Sequence, residues 1–178
     1  MAFSFSKTLF RRDEGRDALI PLYNAVVAEA RNPVWYLDGK LPDTVDHRFE
    51  MVAALTALAI LRLDRAGDAG KQGAVLLTEV FVDDMDGQLR QEGIGDIVVG
   101  KHIGKMMSAL GGRIAAYRAG LDADAQNGGA LGEALVRNLY RGDHPGDAPL
   151  AFTQDRLRGL WAALLARADA DLLEWRFP

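Results

Sequence analysis

The sequence contains no cysteine. Disulfide frameworks, thiol nucleophiles, iron–sulfur clusters and zinc–cysteine sites are therefore excluded. Histidine is nearly absent: His47, His102 and His144 are too few for a histidine-rich metal or acid–base centre. Serine is as scarce, and Ser4, Ser6 and Ser108 all lie outside a nucleophile-elbow context. No positive excess exists either. The chain carries 21 Lys and Arg against 25 Asp and Glu, a net charge of −4, which argues against a DNA partner or a general nucleic-acid binder. Long apolar runs are missing. The longest, Met51 to Leu61, is interrupted by Thr56 and is about half the length a bilayer span needs. The N-terminus has no apolar h-region and no small-residue cleavage site. The expected location is the cytoplasm, at most peripheral to the inner face of the membrane. Phe3, Phe5 and Phe10 beside Arg11 and Arg12 could make that contact, but on helical spacing they line no single face, which favours a frayed terminus or one packed back on the domain.

What is present is ordinary material for a packed globule: 178 residues, 49% hydrophobic and 26% charged. No hairpin signal joins alternating runs, and no internal repeat appears. The periodicity is helical throughout. A first helix is expected from about Asp17 to Ala30, stopped at Asn32-Pro33, followed by an aromatic loop that turns Trp35 and Tyr36 inward. A second, capped by Asp43 or Thr44 and ended by Gly67, is apolar nearly all round and should be central. A third covers roughly Gly73 to Gln91. A fourth starts at Asp96 after the turn Gly93-Ile94-Gly95, and Gly111-Gly112 breaks or kinks it before Arg113 to Gly120 resumes. Ala130 to Leu139 and a last helix capped by Thr153 or Asp155 complete the chain, with a polar loop at Gly142 to Pro149 between them. The fold class is all-α: a single irregular domain of about six to seven helices over residues 16–178, preceded by a flexible segment at 1–15.

Three constellations look chemical. Gly95 to Lys101 fits G-x-x-x-x-G-K, but His102 stands where a phosphate loop needs Ser or Thr, and a turn rather than a strand precedes it. A capped helix start explains it better. The run Asp83-Asp84-Met85-Asp86, with Glu79 one turn earlier and Arg90 one turn later, makes an acidic stripe on the third helix. It reads as a solvated face, as a partner-binding surface, or as a magnesium site. The last would make the protein an all-α isoprenoid-type transferase, although a second acidic motif on a facing helix is missing. Finally, Glu79 to Asp96 holds six acids and one base, while Lys101 to Arg118 holds four bases and no acid. Such separated signs suit recognition of a protein or an anionic surface. They equally suit two helices that neutralise one another.

The stretch from Asp83 to Arg90, then Gly93-Ile94-Gly95-Asp96, Val99-Gly100-Lys101, Gly112-Arg113 and Ala116-Tyr117, together with Pro42 to Glu50, closely resembles the ubiquinol–cytochrome c chaperone family. This family includes the mitochondrial Cbp3-type proteins. The resemblance runs from about Tyr23 to Leu121 and more loosely to Leu173, and it points to a short bacterial version. It implies an assembly factor for the cytochrome bc1 complex that binds newly made cytochrome b. It also implies, in the mitochondrial members, contact with the ribosome and a small partner protein. No catalytic residue, metal or cofactor comes with it, and a chaperone rather than an enzyme is expected. The candidate partner-binding residues are Glu79, Asp83, Asp84, Asp86 and Arg90 as an acidic rim beside an apolar groove, with Lys101, Lys105 and Arg113 facing anionic surfaces.

Overall fold

Pro21 opens the first helix, α1 (Ile20–Ala30), because a missing N–H is no loss in a first turn. The helix therefore begins just after the turn at 18–19, and residues 14–17 form a separate helical turn before it. The protein is described by a computed structural model over backbone residues 14–91, 96–127 and 129–172. Side chains are described there except at 88–91, 96–103, 105, 123–127 and 170. The N-terminal aromatic segment and the Gly93-Ile94-Gly95 turn lie outside these residues.

The expected aromatic loop contains one helical turn, α2 (Val34–Leu37), which buries Trp35 at 1% exposure and leaves Tyr36 half-buried. Thr44 then caps α3 (Val45–Asp64) by accepting from the His47 N–H at 3.3 Å, and its hydroxyl sits 2.7 Å from His47 Nδ1. Every residue from Ala53 to Leu63 is buried. A helix apolar on all sides has to be surrounded, and α3 packs against α1 and against three later helices.

The first of these, α4 (Gly67–Gln91), starts six residues before the Gly73 expected from periodicity. Gly67 has φ +73°, which lets the chain reverse sharply, and Gly70 lies so close to the Leu63 carbonyl that a Cβ would clash with it. The glycines that look like a linker are the price of a tight α3–α4 crossing. The next helix, α5 (Asp96–Asn127), is continuous for 32 residues. Gly111 and Gly112 neither end nor interrupt it, because Leu110 and Tyr117 on either side are buried and hold the backbone in register. Gly100 and Lys101 lie within this helix, so the phosphate-loop pattern has no loop.

Helix α6 (Ala130–Asn138) packs on α5 where Gly120 meets the Leu131 backbone. Helix α7 (Asp147–Leu165) begins at Gly146, whose φ of +100° suits only glycine, well before the expected caps. Thr153 is instead wholly buried in the middle of the first turns of α7, and Asp155 pairs with Arg158 at 3.1 Å. A 3-10 turn (Asp169–Asp171) follows, and Leu172 beyond it is buried. The architecture is all-α, with six helices of nine residues or more and no strand among the described residues. None of its described helices is long and apolar enough to cross a membrane.

Candidate functional site

Beside the central helix, a groove of about 650 Å³ opens between α1, α3, α4 and α5. Its apolar wall is made by Val27, Ala30, Phe49, Val52, Met85 and Met106. Helical spacing explains the contributors: Phe49 and Val52 are three residues apart on α3, as are Val27 and Ala30 on α1. Val45, at the start of α3, lines the same groove and is 73% exposed, the most exposed large hydrophobic residue described. A branched apolar side chain left in water beside a concave apolar wall marks a surface suited to a partner.

The floor holds a buried ion pair. Glu50 interrupts the apolar run of α3, is 4% exposed, and accepts from Arg113 of α5 through both guanidinium arms, Nε at 2.7 Å and Nη2 at 2.5 Å. Burial pushes the Glu50 carboxyl above the ordinary glutamate value, while Arg113 and then Arg141 pull it back toward ionisation. Two hydrogen bonds from Arg113 and the more distant Arg141 face the buried carboxyl. Arg113 also lies 5.9 Å from the Phe49 ring centroid. Tyr117, next along α5, is wholly buried, and burial above all raises its hydroxyl well beyond the usual tyrosine range. At the mouth, Arg141 reaches Asp46 at 3.3 Å and Glu50 at 3.9 Å from a left-handed backbone with φ +56°. Arg48 is held by Asp43 at 2.6 and 3.0 Å, and Arg31 also lines the groove.

The acidic run does not act as one stripe. Asp83 is exposed and paired with Arg16 at the N-terminal turn. Asp84 lines the groove and accepts from the Tyr23 hydroxyl at 2.7 Å. Burial first, and then this bond, raises that hydroxyl far above its ordinary value. Glu79 and Asp86 are half-buried elsewhere on α4. Among the described residues no three carboxylate or imidazole groups converge to hold a metal ion. A two-motif magnesium site therefore has no geometric support there. The basic block is dispersed as well. Arg113 turns inward to Glu50, and Arg118 pairs with Asp64 at 2.8 Å, so both answer α3 rather than the acids of α4. The side chains of Arg90, Lys101 and Lys105 lie outside the described residues.

Sequence reasoning placed an apolar groove next to the acidic run and named Asp84 and Arg113. It missed Glu50, Arg31, Arg48 and Arg141. Glu50 had a visible signal, a lone charge between Phe49 and Met51 at the head of the most apolar helix. Arg141 had none, since its partners Asp46 and Glu50 are distant in sequence. A second concavity, about 320 Å³ and lined by small residues such as Ala66, Gly70 and Gly73, lies near the α3–α4 reversal.

A family profile described as Ubiquinol-cytochrome C chaperone matches residues 37–173. The chain is also similar to the crystal structure of the Cbp3 homolog from Brucella abortus, with a TM-score of 0.79 at 28% sequence identity. That likeness covers 98% of this chain and 97% of that one. No curated protein matches.

Proposed function

The chain belongs to the ubiquinol–cytochrome c chaperone family, and on that premise we propose that it serves assembly of the cytochrome bc1 complex by holding newly made cytochrome b. The observation that carries the reading is the apolar groove over the Glu50–Arg113 pair, open to solvent and edged by Val45. A membrane subunit outside its bilayer exposes apolar helices, and a chaperone lowers the cost of that exposure by covering them. Nothing in this task requires bond chemistry. It requires a concave apolar wall, a rigid floor and polar groups at the mouth that tolerate both the empty and the filled state. The buried ion pair supplies rigidity, because moving either partner leaves a charge uncompensated.

The protein works in this reading from the cytoplasmic side, against the inner face of the membrane. Lys101 and Lys105, one turn apart on α5, are assigned by charge to anionic surfaces, whether headgroups or ribosomal RNA. Asp83, exposed on the outer side of α4, is assigned to the periphery of the client contact together with Glu79 and Asp86.

Deletion of the gene, followed by measurement of cytochrome b and of assembled bc1 complex, tests the proposal. Loss of both, restored by the wild-type chain, is the expected result. Val45→Asp places a charge on the groove wall at an exposed position, so it should fold normally yet fail to restore assembly or to co-purify cytochrome b. Normal bc1 levels in the deletion strain would refute the role outright.

A further inference from the structure

Resting on the groove reading above, we propose that the groove selects apolar helices flanked by carboxylates, with Arg31 and Arg141 as its specificity-determining residues. The charges that reach the groove are unequally used. Of its acids, Glu50 is buried beneath Arg113, while Asp84 is half-buried and accepts from the neutral Tyr23 hydroxyl. Arg48 is committed to Asp43 through two hydrogen bonds. Arg31, exposed just beyond the C-terminus of α1, makes no ion pair with a described residue. Arg141 is 47% exposed, and its contacts at 3.3 and 3.9 Å are longer than those of any other guanidinium around the groove. Glu50, the nearer its core, is already saturated by Arg113. An entering segment therefore meets an apolar wall with two under-used guanidinium groups at the opening, against two carboxylates that reach solvent, Asp46 and the half-buried Asp84.

Arginine is suited to this task. Its planar fork binds a carboxylate through two parallel hydrogen bonds, and it sheds water more readily than an ammonium group. Acidic flanks on the client would complete Arg31 and draw Arg141 away from Asp46. Basic flanks would meet repulsion at both. The chain as a whole carries −4, so general attraction for an acidic client is absent and any preference has to be local.

The test uses the full chain and two synthetic peptides with the same apolar helix of about 20 residues, one flanked by glutamates and one by lysines. Fluorescence anisotropy at low ionic strength should show the glutamate peptide bound about ten-fold tighter, a preference that salt weakens. The double variant Arg31→Glu/Arg141→Glu should reverse the order, and Arg31→Gln/Arg141→Gln, which adds no charge, should abolish it. Thermal melts of both variants report that the fold is kept. Equal binding of the two peptides, or preference for lysine in the wild type, would overturn the selectivity while leaving the groove reading intact. Failure of both peptides to bind would remove the groove reading, and this inference with it.

Discussion

Two glutamates in this protein are buried to almost the same degree, and each is held by an arginine that also lies against an aromatic ring. Glu29 of α1 is 6% exposed, accepts from Arg156 at 2.7 and 3.2 Å, and Arg156 lies 5.1 Å from the Trp35 ring centroid. Glu50 of α3 is 4% exposed, accepts from Arg113, and Arg113 lies over Phe49. The difference is what surrounds them. Glu29 also accepts from Trp35 Nε1 at 3.2 Å and from Asn32 at 3.3 Å, so its lone pairs are filled by residues of one local segment. Nearby, the Tyr140 hydroxyl donates to the Gly39 carbonyl at 2.6 Å and sits 2.7 Å from the Thr153 hydroxyl, which closes the α2 loop onto α7. Glu50 forms the floor of a groove instead, and its second arginine reaches it from the mouth. The same chemical pair is a clasp in one place and a base plate in the other. Open apolar surface lies beside the second pair.

Trp35→Ala breaks the clasp most severely. It empties a fully buried indole and should cost about 3–5 kcal/mol of unfolding free energy in urea titration. Loss of that size is enough to reduce the folded population, so client capture should fall only in parallel with folded protein. A smaller effect discriminates better. Glu50→Ala leaves Arg113, 13% exposed, without its counter-charge, and should cost about 3 kcal/mol. Glu29→Ala should cost less, about 2 kcal/mol, because Arg156 at 27% exposure can turn toward water. At equal folded concentration, only the Glu50 variant should change capture of an apolar helix. Equal effects on capture would dissolve the distinction between the two regions.

Tyrosine titration spans both. All four tyrosines, Tyr23, Tyr36, Tyr117 and Tyr140, have hydroxyls pushed above 10.0, in each case chiefly by burial. A raised native value leaves stability intact below the unfolded value of about 10 and lowers it as pH rises beyond, because the unfolded chain ionises first. Tyrosinate absorbance should therefore appear together with loss of helical circular dichroism, not ahead of it. Early tyrosinate from Tyr36 alone, which lines the groove, would show that the groove side opens before the clasp. The smallest effect is expected at Asp83. Its exposed pair with Arg16 predicts that Asp83→Lys shifts stability by less than about 1 kcal/mol. It should also reduce cytochrome b capture less than Val45→Asp does. A larger loss would move the client contact from the groove to the outer side of α4.

Much of this could be read without coordinates. The Thr44 cap, the all-round apolar character of α3 and the resulting central position follow from neighbouring residues, and so does the helical class of the whole chain. The errors fall where glycine or threonine has two physical uses. Gly67 reads as a helix end and α4 as starting only at Gly73, yet Gly67 and Gly70 permit α4 to begin at once against Leu63. Gly111-Gly112 resembles a break, yet buried Leu110 and Tyr117 carry the helix through it. Thr153 resembles a cap, yet its hydroxyl answers Tyr140 inside the core.

From its residues alone, this chain is committed to helices, to one central apolar helix and to its family, since helical periodicity and motif spacing are local properties. Which charges meet which was decided only on folding. Glu50 and Arg113 are 63 positions apart and Glu29 and Arg156 are 127 apart, and no local pattern encodes either partnership. The groove exists for the same reason: periodicity states which face of a helix avoids water, but only the packing of four helices leaves part of that face uncovered.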